Sequence, residues 1–170
     1  MDPFSFGFNY QTPDDQYMTG EAIVKYLVDT VSKNGNFLLD IGPKNDGSIP
    51  QIMQTGLRAA GAWITAHSES IFKTRYWLTT PGTDPLRYAT TADAFYIHVN
   101  SVPNSTLAIN DPIPYLPGDT LTVVGGSMNG TVVPLDWNNH NGTYTIQLTD
   151  DVIKADTYVW TLKLSYTSTW

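Results

Sequence analysis

The chain has 170 residues, 9 Lys and Arg against 16 Asp and Glu, a formal net charge of −7, and no cysteine. That length carries one ordinary domain or two small ones and buries a core without covalent staples. Zero cysteines exclude a disulfide framework, thiol catalysis and Cys-ligated zinc, and an acidic chain with no basic cluster and no apolar run near the roughly 18 residues of a membrane span points away from nucleic acid and membrane as partners.

Charged residues make up 15% of the chain, well below the roughly 25% of an average soluble domain. The surface is therefore built largely from Thr, Asn, Ser and Gly, a composition common among extracellular proteins. Met1-Asp2-Pro3-Phe4 has neither a positive n-region nor an apolar h-region, so it does not read as a signal peptide.

In chain order, Phe4, Phe6, Phe8 and Tyr10 alternate with other residues at the period of a strand. Such a row is either one buried aromatic face or a platform for the apolar face of a sugar ring. Thr19 reads as a helix N-cap, with Glu21 in the first turn where a negative charge suits the helix dipole. Ile23, Val24, Leu27, Val28 and Val31 repeat at helical spacing, and Asn34-Gly35 supplies the left-handed stop. Phe37-Leu38-Leu39-Asp40-Ile41 is a nearly continuous apolar run, the pattern of a strand covered on both faces. After the loop from Gly42 to Ser48, Pro50 opens a second helix with Met53, Leu57, Ala60, Trp63 and Ile64 on its buried stripe. A parallel strand needs parallel neighbours, so residues 1–77 read as the end of a larger α/β domain. A (β/α)8 barrel takes about 250 residues, and the remainder is expected ahead of Met1.

After Trp77 the pattern changes to short β segments. Strands are predicted over 94–99, 106–109, 120–124, 131–135, 143–148 and 158–166, rich in Thr, Val, Tyr and Ile. Pro103-Asn104, Pro117-Gly118-Asp119, Asn129-Gly130 and Asn141-Gly142 mark the turns between them. Residues 78–170 are close in length to the roughly 100 of a β-sandwich, and an antiparallel sandwich or jelly roll is the natural reading.

Chemistry-bearing patterns are few. His67, His98 and His140 lie near a helix end, in a strand and in a turn, with no metal-site spacing; there is no Gly-x-Ser-x-Gly elbow and no phosphate loop, so no metal or cofactor is expected. Paired carboxylates would suit sugar chemistry. Asp40 is the best placed, near the C-terminal end of the predicted strand; the alternative is that Asp40 and Asp46 simply bind backbone amides of the following loop. Asp14-Asp15 reads as a turn or cap, Glu69 as a partner for local backbone, and Asp150-Asp151 as loop. Tyr96, Trp137 and Trp160 offer ring-stacking surface if the sandwich is a non-enzymatic binding or scaffold module. Asn104-Ser105-Thr106, Asn129-Gly130-Thr131 and Asn141-Gly142-Thr143 are glycosylation sequons at predicted turns, pointing to a secreted eukaryotic protein modified at Asn104, Asn129 and Asn141.

The run Val31-Ser32-Lys33-Asn34-Gly35-Asn36-Phe37-Leu38-Leu39-Asp40-Ile41-Gly42-Pro43 resembles the Val-Ser-Lys-Asn-Gly-Asn-Leu-Leu-Leu-Asn-Ile-Gly-Pro signature of glycoside hydrolase family 29, the α-L-fucosidases. It continues through Asp46-Gly47-Ser48-Ile49-Pro50, similar to the family's Asp-Gly-Thr-Ile-Pro. The stretch from Trp63 to Trp77, Ser5-Phe6-Gly7-Phe8-Asn9 upstream, and Tyr158-Val159-Trp160-Thr161-Leu162-Lys163-Leu164 near the end also resemble family segments. Asp40 for Asn, His67-Ser68 for Asn-Gly and Phe72 for Tyr depart from it.

The resemblance implies the C-terminal part of a retaining exo-α-L-fucosidase, of fungal type, acting on fucosylated glycans or fucosides. Residues 1–77 would be the last elements of a (β/α)8-like catalytic barrel and residues 78–170 an antiparallel β-sandwich. The N-terminal part of the barrel, in the same parent chain or as a nicked partner, would carry the aspartate nucleophile and the acid/base group. This chain then has no catalytic residue of its own and is inactive alone. Phe6 matches an aromatic that lines the apolar wall against the fucose methyl group, and Phe8, standing where Tyr is usual, is its companion as a substrate-binding candidate.

Overall fold

In the structure, a computed structural model that describes residues 1, 9, 11–138 and 142–165, the two expected helices pack together. Thr19 Oγ1 accepts from Ala22 N at 3.1 Å and caps α1 (Gly20–Ser32). Asn34 stops the helix in the left-handed region at φ 63°. Pro50 caps α2 (Gln51–Ala66), which His67 ends. Ile23, Val24 and Val28 of α1 meet Ala60 and Trp63 of α2 in one apolar cluster that also takes in Val159. The helical spacing of these residues puts them on one stripe each, so the two stripes close on one another.

A short α3 (Ser68–Ile71) leads into the strands: β1 (Arg75–Tyr76), β2 (Leu86–Thr90), β3 (Ala94–Val99), β4 (Thr106–Ile109), β5 (Thr120–Val124), β6 (Leu135–Asn138), β7 (Thr143–Gln147) and β8 (Trp160–Ser165). They form a five-stranded sheet in the order β1-β2-β3-β8-β5 and a three-stranded sheet in the order β4-β7-β6. Every pairing is antiparallel. Phe95, Ile97, Leu162 and Leu164 from the first sheet and Ile109, Tyr144 and Ile146 from the second share one core. This is the sandwich expected after Trp77, and Trp77 itself sits edge-on to Phe95.

All six residues of β3 are buried. Phe95, Ile97 and Val99 face the sandwich core. The alternate residues Ala94, Tyr96 and His98 face the other way, where α3 reaches Tyr96 through Glu69. Helices thus cover the outer face of the five-stranded sheet, giving three layers.

Four details differ from the sequence reading. The apolar run Phe37–Ile41 forms no strand; Leu38 is 86% exposed, because no described strand lies beside it to take up its backbone groups. The strand expected over 131–135 begins at Leu135 instead: Pro134 has no N–H to give a ladder, and Val132 makes only an isolated bridge to Thr122. Asp150-Asp151 opens a helix, α4 (Asp150–Lys154), capped by Thr149. Leu86–Thr90, buried along nearly its whole length and without alternation, is a strand that the pattern did not show.

Candidate functional site

A cleft of about 830 Å³ lies between the segment around Tyr17 and the loop that enters α2. Tyr17, Pro43, Pro50 and Ile52 give it apolar surface. Asp14, in a single 3-10 turn (Asp14–Gln16), and Lys44, Asn45 and Gln51 give it polar groups. The loop is held in shape by its own residues. Asp46 Oδ1 accepts from Ser48 N at 2.9 Å and from Ser48 Oγ at 2.7 Å. Lys44 N donates to Ser48 O and Gly47 N to Lys44 O. The two Ser48 hydrogen bonds hold the Asp46 carboxyl below the usual carboxylate range. Gln54 Nε2 ties the end of the loop at Ile49 O, 2.8 Å away. A loop preformed in this way leaves little ordering cost to any ligand that enters the cleft.

The other concentrations of polar chemistry lie where the helices meet the sheet, the His67 group buried and the Glu69 and Asp29 groups at the edge of the contact. His67 is fully buried; its ring stacks on Trp63 with centroids 3.9 Å apart. Its Nδ1 lies 2.9 Å from Trp63 O and its Nε2 2.7 Å from Asp156 Oδ2, a residue between α4 and β8. Trp63 Nε1 donates to Val159 O at 3.1 Å. Arg87 of β2 reaches Asp29 of α1 at 2.6 Å. Burial alone would push the Asp29 carboxyl up, but hydrogen bonds from Lys33 and Arg87 and their charges outweigh it and hold it down. Lys163 of β8 pairs with Glu69 at 2.6 Å, and Tyr96 OH donates to the same oxygen at 3.2 Å. Burial first and the Glu69 charge second push the Tyr96 hydroxyl up to about 12. These contacts fasten helices to sheet.

The substrate-binding candidates Phe6 and Phe8, the sequon residue Asn141 and His140 lie outside the described residues. Asp40 is exposed, and its main-chain carbonyl accepts from the Met1 ammonium at 2.7 Å. Of the two readings of the loop acids, Asp46 takes the backbone-binding one. Glu69 does not bind local backbone as expected; it reaches 94 residues along the chain to Lys163. Of the stacking candidates, Tyr96 and Trp160 are buried, the latter donating from Nε1 to Ile153 O, and only Trp137 is substantially exposed, at 45%. Asn104 and Asn129 are exposed; Asn129 Oδ1 accepts from Gly125 N at 2.8 Å. Among the described residues no group of three or more His, Asp or Glu is placed to hold a metal ion.

Sequence reasoning passed over the Asp14–Tyr17 wall of the cleft, whose only local signal was a Pro13-Asp14-Asp15 turn before an isolated tyrosine. It also missed the His67–Asp156 pair, which has no local signal because its members are 89 residues apart.

Residues 1–69 match the α-L-fucosidase family. The chain is 30% identical to human tissue α-L-fucosidase over 172 aligned positions, which is 97% of this chain and 35% of that protein. It is 32% identical to the α-L-fucosidase of Branchiostoma floridae, across 87% of this chain and 32% of that protein. Rat plasma α-L-fucosidase is 43% identical over 77 residues, 45% of this chain and 17% of that one. The crystal structure of Thermotoga maritima α-fucosidase with a mechanism-based inhibitor superimposes at a TM-score of 0.81 and 23% identity, covering 95% of this chain and 37% of that one, which shows a common fold. The chain spans about a third, or less, of the length of these relatives.

Proposed function

We propose, for a chain whose relatives are α-L-fucosidases, that it forms the C-terminal part of a retaining exo-α-L-fucosidase that removes terminal α-linked L-fucose from glycans. The observation that carries this reading is the likeness to human tissue α-L-fucosidase along 97% of the chain, β-sandwich included. In this reading residues 1–77 close the catalytic (β/α)8-like barrel and residues 78–170 are its C-terminal sandwich. Phe6 and Phe8 line the fucose pocket. The catalytic pair of carboxylates, which retaining glycosidases hold about 5 Å apart, comes from the N-terminal part of the barrel, in the same parent chain or in a nicked partner. The exposed Leu38 supports this, as its apolar run has the composition of a strand buried on both sides.

The enzyme is proposed to be secreted and glycosylated at Asn104, Asn129 and Asn141. The low charge, the sequons at turns and the exposure of Asn104 and Asn129 support that reading. The fungal-type subclass rests on the sequence reading alone. Release of nitrophenol from para-nitrophenyl α-L-fucoside tests the assignment. The parent enzyme is expected to turn over and the purified 170-residue chain to be inactive. Clear turnover by this chain alone would sink the claim that its nucleophile lies elsewhere. Intact-mass measurement on the source protein distinguishes a nicked enzyme from a continuous chain.

A further inference from the structure

We infer that the cleft between the Tyr17 segment and the α2-entry loop is a subsite for a neutral sugar, the one to which the fucose is attached. This rests on the fucosidase reading above and names the leaving-group side of the same reaction. The volume of about 830 Å³ lies within the roughly 300–1,000 Å³ of small-ligand sites.

The polar groups suit hydroxyls. The side-chain amides of Asn45 and Gln51 both donate and accept, as a sugar hydroxyl does. Asp14 supplies acceptors only and Lys44 donors only, and neither forms an ion pair among the described residues. One charge of each sign gives the cleft no net preference for an ionised ligand, which disfavours a phosphate, a sulfate or an acidic sugar. Tyr17, Pro43, Pro50 and Ile52 offer apolar surface to the C–H faces of a ring.

Position agrees with this. The loop from Gly42 to Ile49 joins the Phe37–Ile41 run, which forms no strand in this structure, to α2; in the barrel reading proposed above it holds the place of a strand-to-helix loop, and barrel enzymes build their sites from such loops. The Asp46–Ser48 hydrogen bonds hold the loop before any sugar arrives.

Lactose is the probe for the 170-residue chain, with binding read by saturation-transfer NMR. A dissociation constant on the order of 1–10 mM is expected, weakened about threefold or more by Lys44→Met and by Gln51→Ala. Absence of binding at about 50 mM lactose, or binding that neither variant weakens, would overturn the assignment. In the enzyme that carries this chain, Lys44→Met and Asn45→Ala are expected to lower kcat/KM about tenfold on a fucosylated lactose and less than about twofold on para-nitrophenyl α-L-fucoside, which has no sugar leaving group. Equal loss on both substrates, or loss on neither, refutes the subsite. No turnover of either substrate by the unmutated enzyme refutes the fucosidase reading and the leaving-group role with it, while lactose binding reports on the cleft independently.

Discussion

Replacing Gly125 by alanine probes the join between helices and sheet at its tightest point. Gly125 follows β5 with φ 81°, and a Cβ there would stand well inside van der Waals contact with the His67 ring. The ring cannot retreat. Trp63 stacks on it at 3.9 Å, and its two nitrogens are engaged by Trp63 O at 2.9 Å and Asp156 at 2.7 Å. Two costs add. A left-handed backbone costs a non-glycine residue roughly 1 kcal/mol, and overpacking a filled interior costs about 1–3 kcal/mol. Gly125→Ala should therefore lose about 3 kcal/mol. Gly130 is the control: φ is 82°, and nothing lies within 4 Å of a Cβ built there. Gly130→Ala carries the backbone cost alone, about 1 kcal/mol. Urea unfolding followed by tryptophan fluorescence measures both. With a slope of about 2 kcal/mol/M the midpoints should fall by roughly 1.5 M and 0.5 M. Equal shifts in the two variants would refute the idea that His67 is wedged against this turn.

Two further outcomes follow from buried groups. His98 is fully buried with Nδ1 3.0 Å from Thr161 Oγ1, and burial first, then the nearby His67, push its pKa down to about 3 against a weaker upward pull from Ser70. The unfolded chain takes up that proton near the ordinary value of about 6.5, so between about 6.5 and 3 it binds more protons than the fold does. Stability should fall with falling pH across that window, by up to about 1.4 kcal/mol per unit, and His98→Gln should flatten the decline of Tm between about pH 7 and 5; an unchanged slope would count against it. Asp111 accepts from Thr83 N, Thr83 Oγ1 and Tyr88 OH at 2.7–2.8 Å, and these bonds outweigh burial to hold its carboxyl low. Asp111→Ala should cost about 2–3 kcal/mol by calorimetry, since it orphans a buried hydroxyl and an amide, whereas Tyr88→Phe should cost about 1 kcal/mol; similar losses in the two would contradict that account.

The local choices are written in the chain itself. Thr19 and Pro50 started helices where caps belong, the 3.6-residue spacing of Ile23, Val24 and Val28 chose the buried stripe, and the alternation in Thr143–Gln147 set which side chains enter the sandwich. These are decided within a turn or two of chain, so they are legible there. Which segments pair as strands was not. Phe37–Ile41 is the more apolar string, yet it has no strand partner among the described residues, while Leu86–Thr90, with Arg87 and Thr90 in it, pairs on both edges with β1 and β3. A strand exists only when another backbone takes up its hydrogen bonds, and that information is non-local. The cleft is of the same kind: Tyr17 and Lys44 stand 27 positions apart, and only the packing of α1 on α2 brings their segments to one opening. So it is with His67 and Asp156, 89 positions apart, which the three-layer stack buries against each other.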